Sequence, residues 1–322
     1  MGELKELKLE DLNAEAFIQE QAESIRAAVG DGIAVNALSG GVDSSAVTML
    51  GHKALGDRLK TYFVDNGIMR EGEPEAVVAI FKDLGVHVGL VDARDEFFAA
   101  LKGIADPEEK REAITRTFYR DVFARLVRES GAKHLLQGSI FTDVEETVAG
   151  IKRQHNILAQ LGIDPEKEFG YKVIEPLIRL RKSGVRVVGK ALGLPENVYA
   201  RPPFPGPALA ARVIGEATPE RIEIVKKATK IVEEELASTG AFQYLAILHE
   251  DHVTGIRAGR RDFGLQIEVR CWESTDAQVA HPTPVAHDTL GVLADRITEE
   301  VPGVVSVTYN ITRKPPSTIE AV

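Results

Sequence analysis

Cysteine and long apolar runs are scarce in this sequence, and each absence excludes a class of protein. Cys271 is the only cysteine among 322 residues, which excludes a disulfide framework and a thiolate zinc cluster. It falls in a predicted strand, 265–272, where we expect a small buried hydrophobic residue. No run of about 18 apolar residues occurs, so neither a transmembrane helix nor a membrane partner is predicted. Residues 1–12 do not resemble a signal peptide, and we expect a cytoplasmic protein.

Basic residues are also fewer than acidic ones. The formal net charge is −10 and the pI is near 5.4, which disfavours contact with an extended nucleic acid. A local basic pocket for a small phosphorylated ligand remains compatible with this balance. The length predicts two domains, because a domain usually has about 100–200 residues.

The chain's most informative stretch is rich in glycine and serine and runs from Ser39 to Ser45. It follows an apolar run, 33–38, that predicts a buried parallel strand, and it precedes apolar residues at helical spacing. In a strand–turn–helix unit, backbone N–H groups and the helix N-terminus together bind an anion. Gly40 and Gly41 let the backbone approach such a ligand closely. This stretch therefore predicts a phosphate-binding loop.

The loop differs from the common phosphate-binding motifs. It lacks the Gly-Lys-Ser/Thr end of a Walker A loop, and it is not G-x-G-x-x-G. Instead it carries an acid, Asp43. Because a carboxylate repels a phosphate unless a cation lies between them, the loop predicts bound Mg²⁺. The alternative interpretation is an ordinary strand-to-helix turn with N-capping serines.

Strands and helices alternate through the first part of the chain. Beyond 33–38, strands are predicted at 59–64, 86–91 and 134–138, and helices at 13–29, 73–84, 95–103 and 108–130. This alternation predicts an α/β fold with a doubly wound, mostly parallel sheet. Ligands of such sheets lie at the carboxyl ends of the strands, where Ser39, Asp65 and Ser139 fall.

A proline-rich stretch, Arg201 to Pro207, predicts the domain boundary, with domains at 1–200 and 201–322. Before it, 152–156 is predicted to be a loop or lid, 173–177 an extended segment and 185–192 a helix. After it, helices are predicted at 219–237 and 288–300, and strands at 243–249, 253–257, 264–271 and 303–309. This pattern is typical of a small α+β domain. His249 and His252 lie between two of the predicted strands, and a polar turn is favoured over a metal site there.

The Ser39–Ser45 loop resembles the pyrophosphate loop of the N-type ATP pyrophosphatases. Further stretches extend the likeness, namely 63–67, 106–111, 137–140, 204–207, 212–216 and 314–320. From about Phe17 to Glu320 the chain resembles the ATP pyrophosphatase subunit of two-subunit GMP synthetases. The resemblance implies an adenine nucleotide alpha-hydrolase-like first domain and a second domain for dimerisation and acceptor binding.

The resemblance also implies an activity and its residues. The activity is ATP-dependent amidation of xanthosine monophosphate (XMP) to GMP through an adenylyl intermediate, with release of AMP and pyrophosphate. The implied ATP-binding residues are Ser39, Gly40, Gly41, Val42, Asp43, Ser44, Ser45, Val64, Asp65, Gly67, Gln137 and Gly138. The implied acceptor-binding residues are Arg212, Lys314, Thr318, Ile319 and Glu320. Catalytic roles are implied for Asp43, Lys152, His155 and Lys182, and binding of the metal, Mg²⁺, for Asp43 and Asp143.

Two protein partners follow from the resemblance. A glutaminase needs a domain of its own with a cysteine nucleophile paired to a histidine, and the single Cys271 lies in the second predicted domain. A separate glutaminase subunit is therefore implied as the ammonia donor. The family also implies a homodimer through residues 208–322.

Several positions differ from the family's usual residues. They are Gln154 in place of a histidine, Ser183 and Gly184 in place of two acids, Pro202 in place of a histidine and Ala208 in place of a glycine. The differences keep two alternatives open. One is a paralogue that adenylates a different base or nucleotide for nitrogen or sulfur transfer, and the other is a non-catalytic, nucleotide-binding regulatory subunit.

Overall fold

The computed structural model describes residues 4–148, 171–201, 204–275 and 277–321, and of 146–148 the backbone alone. The chain forms two compact units, each assembled from segments that are separate in sequence. The first consists of Met1–Asp65, Glu73–Asp92 and Arg116–Arg201. The second consists of Asn66–Gly72, Ala93–Thr115 and Pro202–Val322. The last segment of the second unit begins at Pro202, one residue after the predicted start of the second domain at 201.

The first unit contains a five-stranded sheet in which every pair is parallel. Its strands are β1 (Ala34–Ala37), β2 (Leu59–Asp65), β3 (Val88–Asp92), β4 (His134–Leu136) and β5 (Lys172–Ile174). They lie in the order β3-β2-β1-β4-β5. The order reverses between β1 and β4, and open parallel sheets bind ligands at such a switch point.

Helices flank this sheet. They are α1 (Ala14–Val29), α2 (Val42–Leu55), α3 (Glu73–Asp83), Ala124–Ser130, Phe141–Val148, Lys182–Ala191 and Glu196–Tyr199. Short 3₁₀ helices cover Leu9–Asp11 and Gly56–Arg58. The predicted helix 108–130 is not uniform, because an α-helix over Pro107–Arg116 continues as a π-helix over Thr117–Phe123 before Ala124–Ser130. The predicted doubly wound α/β fold is confirmed.

The core of the first unit forms where α1, α2 and the helix Lys182–Ala191 pack together. The side chain of Asn13 begins α1 by accepting a hydrogen bond from the Ala16 N–H at 3.1 Å. Phe17 and Ile25 of α1 are almost fully buried, as is Leu50 of α2. The helical spacing of Phe17 and Ile25 places them on one face of α1, so burial of that face stabilises the unit.

The second unit is built around an antiparallel pair of long strands. Its strands are β6 (Gln243–Arg257), β7 (Arg260–Glu273), β8 (His281–Pro282) and β9 (Val304–Tyr309). β6 and β8 pair antiparallel with β7, and β9 pairs parallel with it. Its helices are Arg94–Leu101, Pro219–Leu236, His287–Glu300 and most of Pro107–Arg116, with 3₁₀ helices over Ala208–Arg212 and Ala237–Thr239.

One prediction for this unit is wrong. The segments 243–249 and 253–257 are not two strands joined by a polar turn but a single strand, β6. Its pairing with β7 is irregular between Leu248 and His252. A bulge of this kind lets polar residues interrupt the alternation without ending the strand. Cys271, by contrast, lies in β7 and is 1% exposed, as predicted.

No helix in the described parts of the chain is long and apolar enough to cross a membrane.

Two helical glycines provide a matched test of the packing. A Cβ atom added to Gly51 in α2 would lie 2.5 Å from Leu136 Cδ1 and 2.9 Å from Leu59 Cδ2, both of which belong to buried side chains. We expect Gly51→Ala to destabilise the protein by about 1–3 kcal/mol through overpacking.

Gly291, in the helix His287–Glu300, has open space where a Cβ atom would be added. We expect Gly291→Ala to stabilise by about 0.5–1 kcal/mol. Melting temperatures measured by circular dichroism should shift in opposite directions, and an unchanged Gly51→Ala variant would contradict the packing.

Candidate functional site

The Ser39–Ser45 loop joins β1 to α2 and is closed by the side chain of Ser44. Ser44 Oγ accepts a hydrogen bond from the Ser39 N–H at 3.1 Å and donates one to the Gly41 carbonyl oxygen at 3.1 Å. It also lies 2.9 Å from Ser39 Oγ. One hydroxyl therefore ties both ends of the turn to the first turn of α2, and backbone N–H groups at a helix N-terminus are the groups that bind phosphates.

The backbone of Gly40 favours glycine at this position of the loop. Its φ is +76°, which places it in the left-handed region, and an added Cβ atom would lie 3.0 Å from Val77 Cγ2. The same position lies 3.6 Å from Arg201 Nη1. Arg201 is paired with the buried Glu73 at 2.6 Å. This ion pair could not be predicted from the sequence, because its members are far apart along the chain and neither belongs to a motif.

Asp43 occupies the first turn of α2 and contacts a cation. Its Oδ2 atom accepts a hydrogen bond from Lys182 Nζ at 2.5 Å. Burial raises the pKa of Asp43; the charge of Lys182 lowers it, and that of Asp143 raises it. The N-cap of α2 is Gly41, so Asp43 does not cap the helix.

The other carboxylate oxygen of Asp43 suits a metal ion. Asp43 Oδ1 is buried and has no hydrogen-bond partner among the described residues. Asp143, in the helix Phe141–Val148, is near enough to raise the pKa of Asp43, and its Oδ2 atom accepts from the Ile140 N–H at 2.9 Å. Within the described ranges no group of three or more His, Cys, Asp and Glu residues converges. Mg²⁺ commonly binds one or two carboxylates and takes its remaining ligands from phosphates and water, so these two acids fit it.

Lys182 is held in place by the residue before it. Arg181 Nε donates to Glu6 Oε1 at 2.9 Å, and Arg181 Nη2 donates to Glu145 Oε1 at 2.5 Å. Glu145 lies on the same helix as Asp143. Arg181 thus joins the start of the helix that carries Lys182 to the helix that carries Asp143.

The carboxyl ends of β2 and β4, the two strands that flank β1, complete this edge of the sheet. Val64 and Asp65 end β2, while Gln137 and Gly138 follow β4. A Cβ atom on Gly138 would lie 3.3 Å from both Asp43 C and Ser44 N, so this segment packs against the loop. Gln137 Oε1 is buried without a hydrogen-bond partner in the described part of the chain. The loop and the Gln137–Gly138 segment therefore flank the switch point between β1 and β4.

Gly67 lies in the second unit, where an added Cβ atom would meet Phe98 Cε2 at 2.6 Å. Lys152 and His155 fall outside the residues that the structure describes.

The residues predicted to bind the acceptor lie in the second unit, where Arg212 and Glu320 form an ion pair. Arg212 is 1% exposed, and its Nε and Nη2 atoms each donate to the Glu320 carboxylate at 3.2 Å. Gln243 Nε2 donates to the same carboxylate at 2.6 Å. Arg212 Nη1 is buried and finds no hydrogen-bond partner among the described residues. A buried, incompletely paired guanidinium is a suitable group for an anionic ligand.

The segment 318–320 is held through its main chain by a residue that the sequence analysis did not single out. Arg270 Nη1 donates to the carbonyl oxygens of Thr318, Ile319 and Glu320 at 2.9, 3.3 and 3.2 Å. Arg270 Nε donates to Glu268 at 2.6 Å. Lys314 donates to the Ala277 carbonyl oxygen at 2.8 Å. In the sequence Arg270 is only a polar residue between Val269 and Cys271 in a predicted strand, which gives no sign of these contacts.

Among the residues that the structure describes, His249 and His252 belong to no metal-binding group. His249 Nε2 lies 2.8 Å from Glu268 Oε2, the carboxylate that also holds Arg270. His249 therefore belongs to the network beneath the C-terminal segment.

Comparison with known proteins gives consistent matches. A model of the GMP synthase C-terminal domain matches residues 230–321. The B subunit of the glutamine-hydrolyzing GMP synthase from Archaeoglobus fulgidus is 48% identical over 309 residues, which is 96% of this chain and 99% of that protein. The Pyrococcus furiosus protein of the same name is 48% identical over 95% of this chain and 97% of its own length. That of Methanocaldococcus jannaschii is 43% identical over 94% and 97%.

A substitution at Gly138 tests how the segment after β4 packs against the loop. Its φ lies outside the left-handed region, so alanine suits the backbone, but the added methyl group would push the main chain of Asp43 and Ser44 outward by a few tenths of an ångström. We expect Gly138→Ala to weaken ATP binding by about tenfold, because misplaced binding groups lose affinity steeply. Calorimetric titration with Mg²⁺ and ATP measures the effect, with Gly291→Ala as the control. Equal affinities in the two variants would show that Gly138 does not position the loop.

Proposed function

The chain belongs to the family of the B subunits of glutamine-hydrolyzing GMP synthase, and from this premise we propose that it converts XMP to GMP with ATP and ammonia. As a member of that family it is an enzyme of the ligase class. The observation that carries the proposal is the orphaned oxygen of Asp43 within a closed, serine-rich loop at the switch point of a parallel sheet.

The reaction needs ATP because the oxygen at C2 of the base is a poor leaving group. That oxygen attacks the α-phosphorus of ATP, and pyrophosphate leaves. Ammonia then adds at C2, and AMP departs with the oxygen. A site for this chemistry has to bind the β- and γ-phosphates tightly and stabilise the charge that develops on the departing pyrophosphate.

The first unit has the groups for that task. We assign the β- and γ-phosphates to the backbone N–H groups and hydroxyls of Ser39–Ser45, and the adenosine to the strand end at Val64 and Asp65, with Gln137 and Gly138 alongside. For Gly67, which lies in the second unit, ATP binding stays a prediction from the resemblance. Asp43 and Asp143 would hold Mg²⁺, which supplies charge neutralisation at the phosphates when bound. The ammonium of Lys182, 2.5 Å from Asp43, adds positive charge beside the leaving group. Catalytic roles for Lys152 and His155 belong to the same proposal.

We assign the acceptor to the second unit. Two cations, Arg212 and Lys314, suit the 5′-phosphate of a nucleotide. Main-chain groups of Thr318 and Ile319 and the carboxylate of Glu320 would contact the rest of it. We propose residues 1–200 as the ATP pyrophosphatase domain and 201–322 as the acceptor-binding and dimerisation domain of a homodimer; Asn66–Gly72 and Ala93–Thr115 of the first range pack in the second unit.

Ammonia has to come from a partner. Hydrolysis of glutamine needs a reactive thiolate. Cys271 is buried in β7, and this burial raises the pKa of its thiol, which keeps it protonated. A separate glutaminase subunit is therefore proposed, in line with the relatives' designation as B subunits.

A direct assay tests the proposed reaction. The purified protein, incubated with ATP, Mg²⁺, XMP and ammonium chloride, should form GMP, AMP and pyrophosphate in equal amounts, as measured by chromatography. Omission of XMP should abolish AMP formation. Turnover of ATP only with another base or nucleotide would contradict the proposal in favour of the paralogue, and ATP binding without any AMP would favour the regulatory subunit.

Replacement of Asp43 tests its role at the phosphates. Asp43→Asn keeps the shape of the side chain but removes the charge that would hold the metal. We expect AMP formation to fall by at least about 10²–10³-fold, the usual effect of losing one such charge interaction, with a melting temperature near that of the wild type.

Asp288→Asn is the matched control, because Asp288 occupies the corresponding position in the first turn of the helix His287–Glu300. Both variants remove one acid from a helix N-terminus, worth about 0.3–1 kcal/mol. Near wild-type turnover in Asp43→Asn would show that this carboxylate does not hold a metal.

A further inference from the structure

Three polar side chains lie fully inside the first unit beneath the phosphate-binding loop. Asn36 of β1 and Thr48 of α2 are 0% exposed, and Thr61 of β2 is 3% exposed. A buried amide or hydroxyl destabilises a protein unless it is hydrogen-bonded. These three satisfy one another, and their bonds lead out of the core toward the loop.

The hydrogen bonds between them all run in one direction. Thr61 Oγ1 donates to Asn36 Oδ1 at 2.7 Å, and Asn36 Nδ2 donates to Thr48 Oγ1 at 2.6 Å. Thr48 Oγ1 in turn donates to the carbonyl oxygen of Ser44 at 2.8 Å. In such a chain each bond polarises the next, which makes the series stiffer than its separate members. It links two strands of the sheet to one residue of the loop.

Ser44 is the residue through which this link can act on the loop. Its carbonyl oxygen accepts the last bond of the series. Its hydroxyl contacts Ser39 and the Gly41 carbonyl oxygen. A shift of Ser44 would therefore move the atoms that close the loop.

Stability alone does not account for the series. Replacing hydrogen-bonded partners by apolar groups of the same shape is often nearly neutral, and valine has the shape of threonine. Apolar side chains could not provide a directional connection between the sheet and Ser44.

We propose that Thr61, Asn36 and Thr48 are positioning residues, a relay that holds Ser44 and the Ser39–Ser45 loop in the geometry that binds the phosphates of ATP. The inference rests on the proposed function only in assigning ATP to this loop, and it is independent of the acceptor.

Substitutions at Thr48 separate positioning from simple stability. Thr48→Val keeps the shape and removes the hydroxyl, whereas Thr48→Ser keeps the hydroxyl and removes a methyl group. Ile25→Val removes a methyl group from a fully buried side chain of α1 in the same unit. Thr229→Val removes a buried helical hydroxyl that has no hydrogen-bond partner among the described residues.

The measurements are the dissociation constant of ATP with Mg²⁺, by calorimetry without an acceptor, and the melting temperature. We expect Thr48→Val to weaken ATP binding by about tenfold, the loss that corresponds to one hydrogen bond. Thr48→Ser, Ile25→Val and Thr229→Val should bind ATP as the wild type does, including any that melt at a lower temperature.

Three results would overturn the relay. They are wild-type affinity in Thr48→Val, an equal loss in Thr48→Ser, or an equal loss in Ile25→Val, which would mark a general effect of destabilisation. A wild-type protein that binds ATP but makes no GMP would contradict the proposed function while leaving this comparison valid. A wild-type protein that binds no ATP would overturn both.

Discussion

A carboxylate inside the proposed phosphate-binding loop is the constraint on which the first unit depends. Asp43 and a phosphate repel each other, so positive charge has to be brought to the same place. The structure does this with Lys182, whose ammonium contacts one oxygen of Asp43, while the other oxygen is buried without a hydrogen-bond partner among the described residues. Arg181 then ties the helix of Lys182 to the helix of Asp143. The elements around the loop are thus arranged by charge as much as by packing.

The second unit solves a related problem with a buried guanidinium. Removal of Arg212 from water is unfavourable unless its charge is matched, and Glu320 and the ring of Phe204, 4.9 Å from the guanidinium carbon, provide the match. Glu320 is itself held by Gln243 and by the network of Arg270 and Glu268. A C-terminal segment without regular secondary structure is thereby kept in one conformation by side-chain donors to its carbonyl groups.

Most helices and strands were predictable because their signals are local. Apolar patterning predicted α1, β2 and the helix Pro219–Leu236 to within a residue or so. The errors have local causes too. The polar residues 249–252 hid the continuity of β6, since a bulge interrupts the two-residue period. The π-helix Thr117–Phe123 has no distinct sequence signal, because it alters the hydrogen bonding but not the composition of a helix.

The loop itself could be read from the sequence, since its closing bonds join residues no more than five positions apart. Its glycines, serines and acid lie close together in the sequence, and together they indicate anion binding. The partners of Asp43 and Arg212 could not be derived in this way. Lys182 lies 139 positions from Asp43, and Glu320 lies 108 positions from Arg212. The distance between two residues along the chain does not indicate that they form such a pair. Only the packing of the folded chain brings their charges within hydrogen-bonding distance.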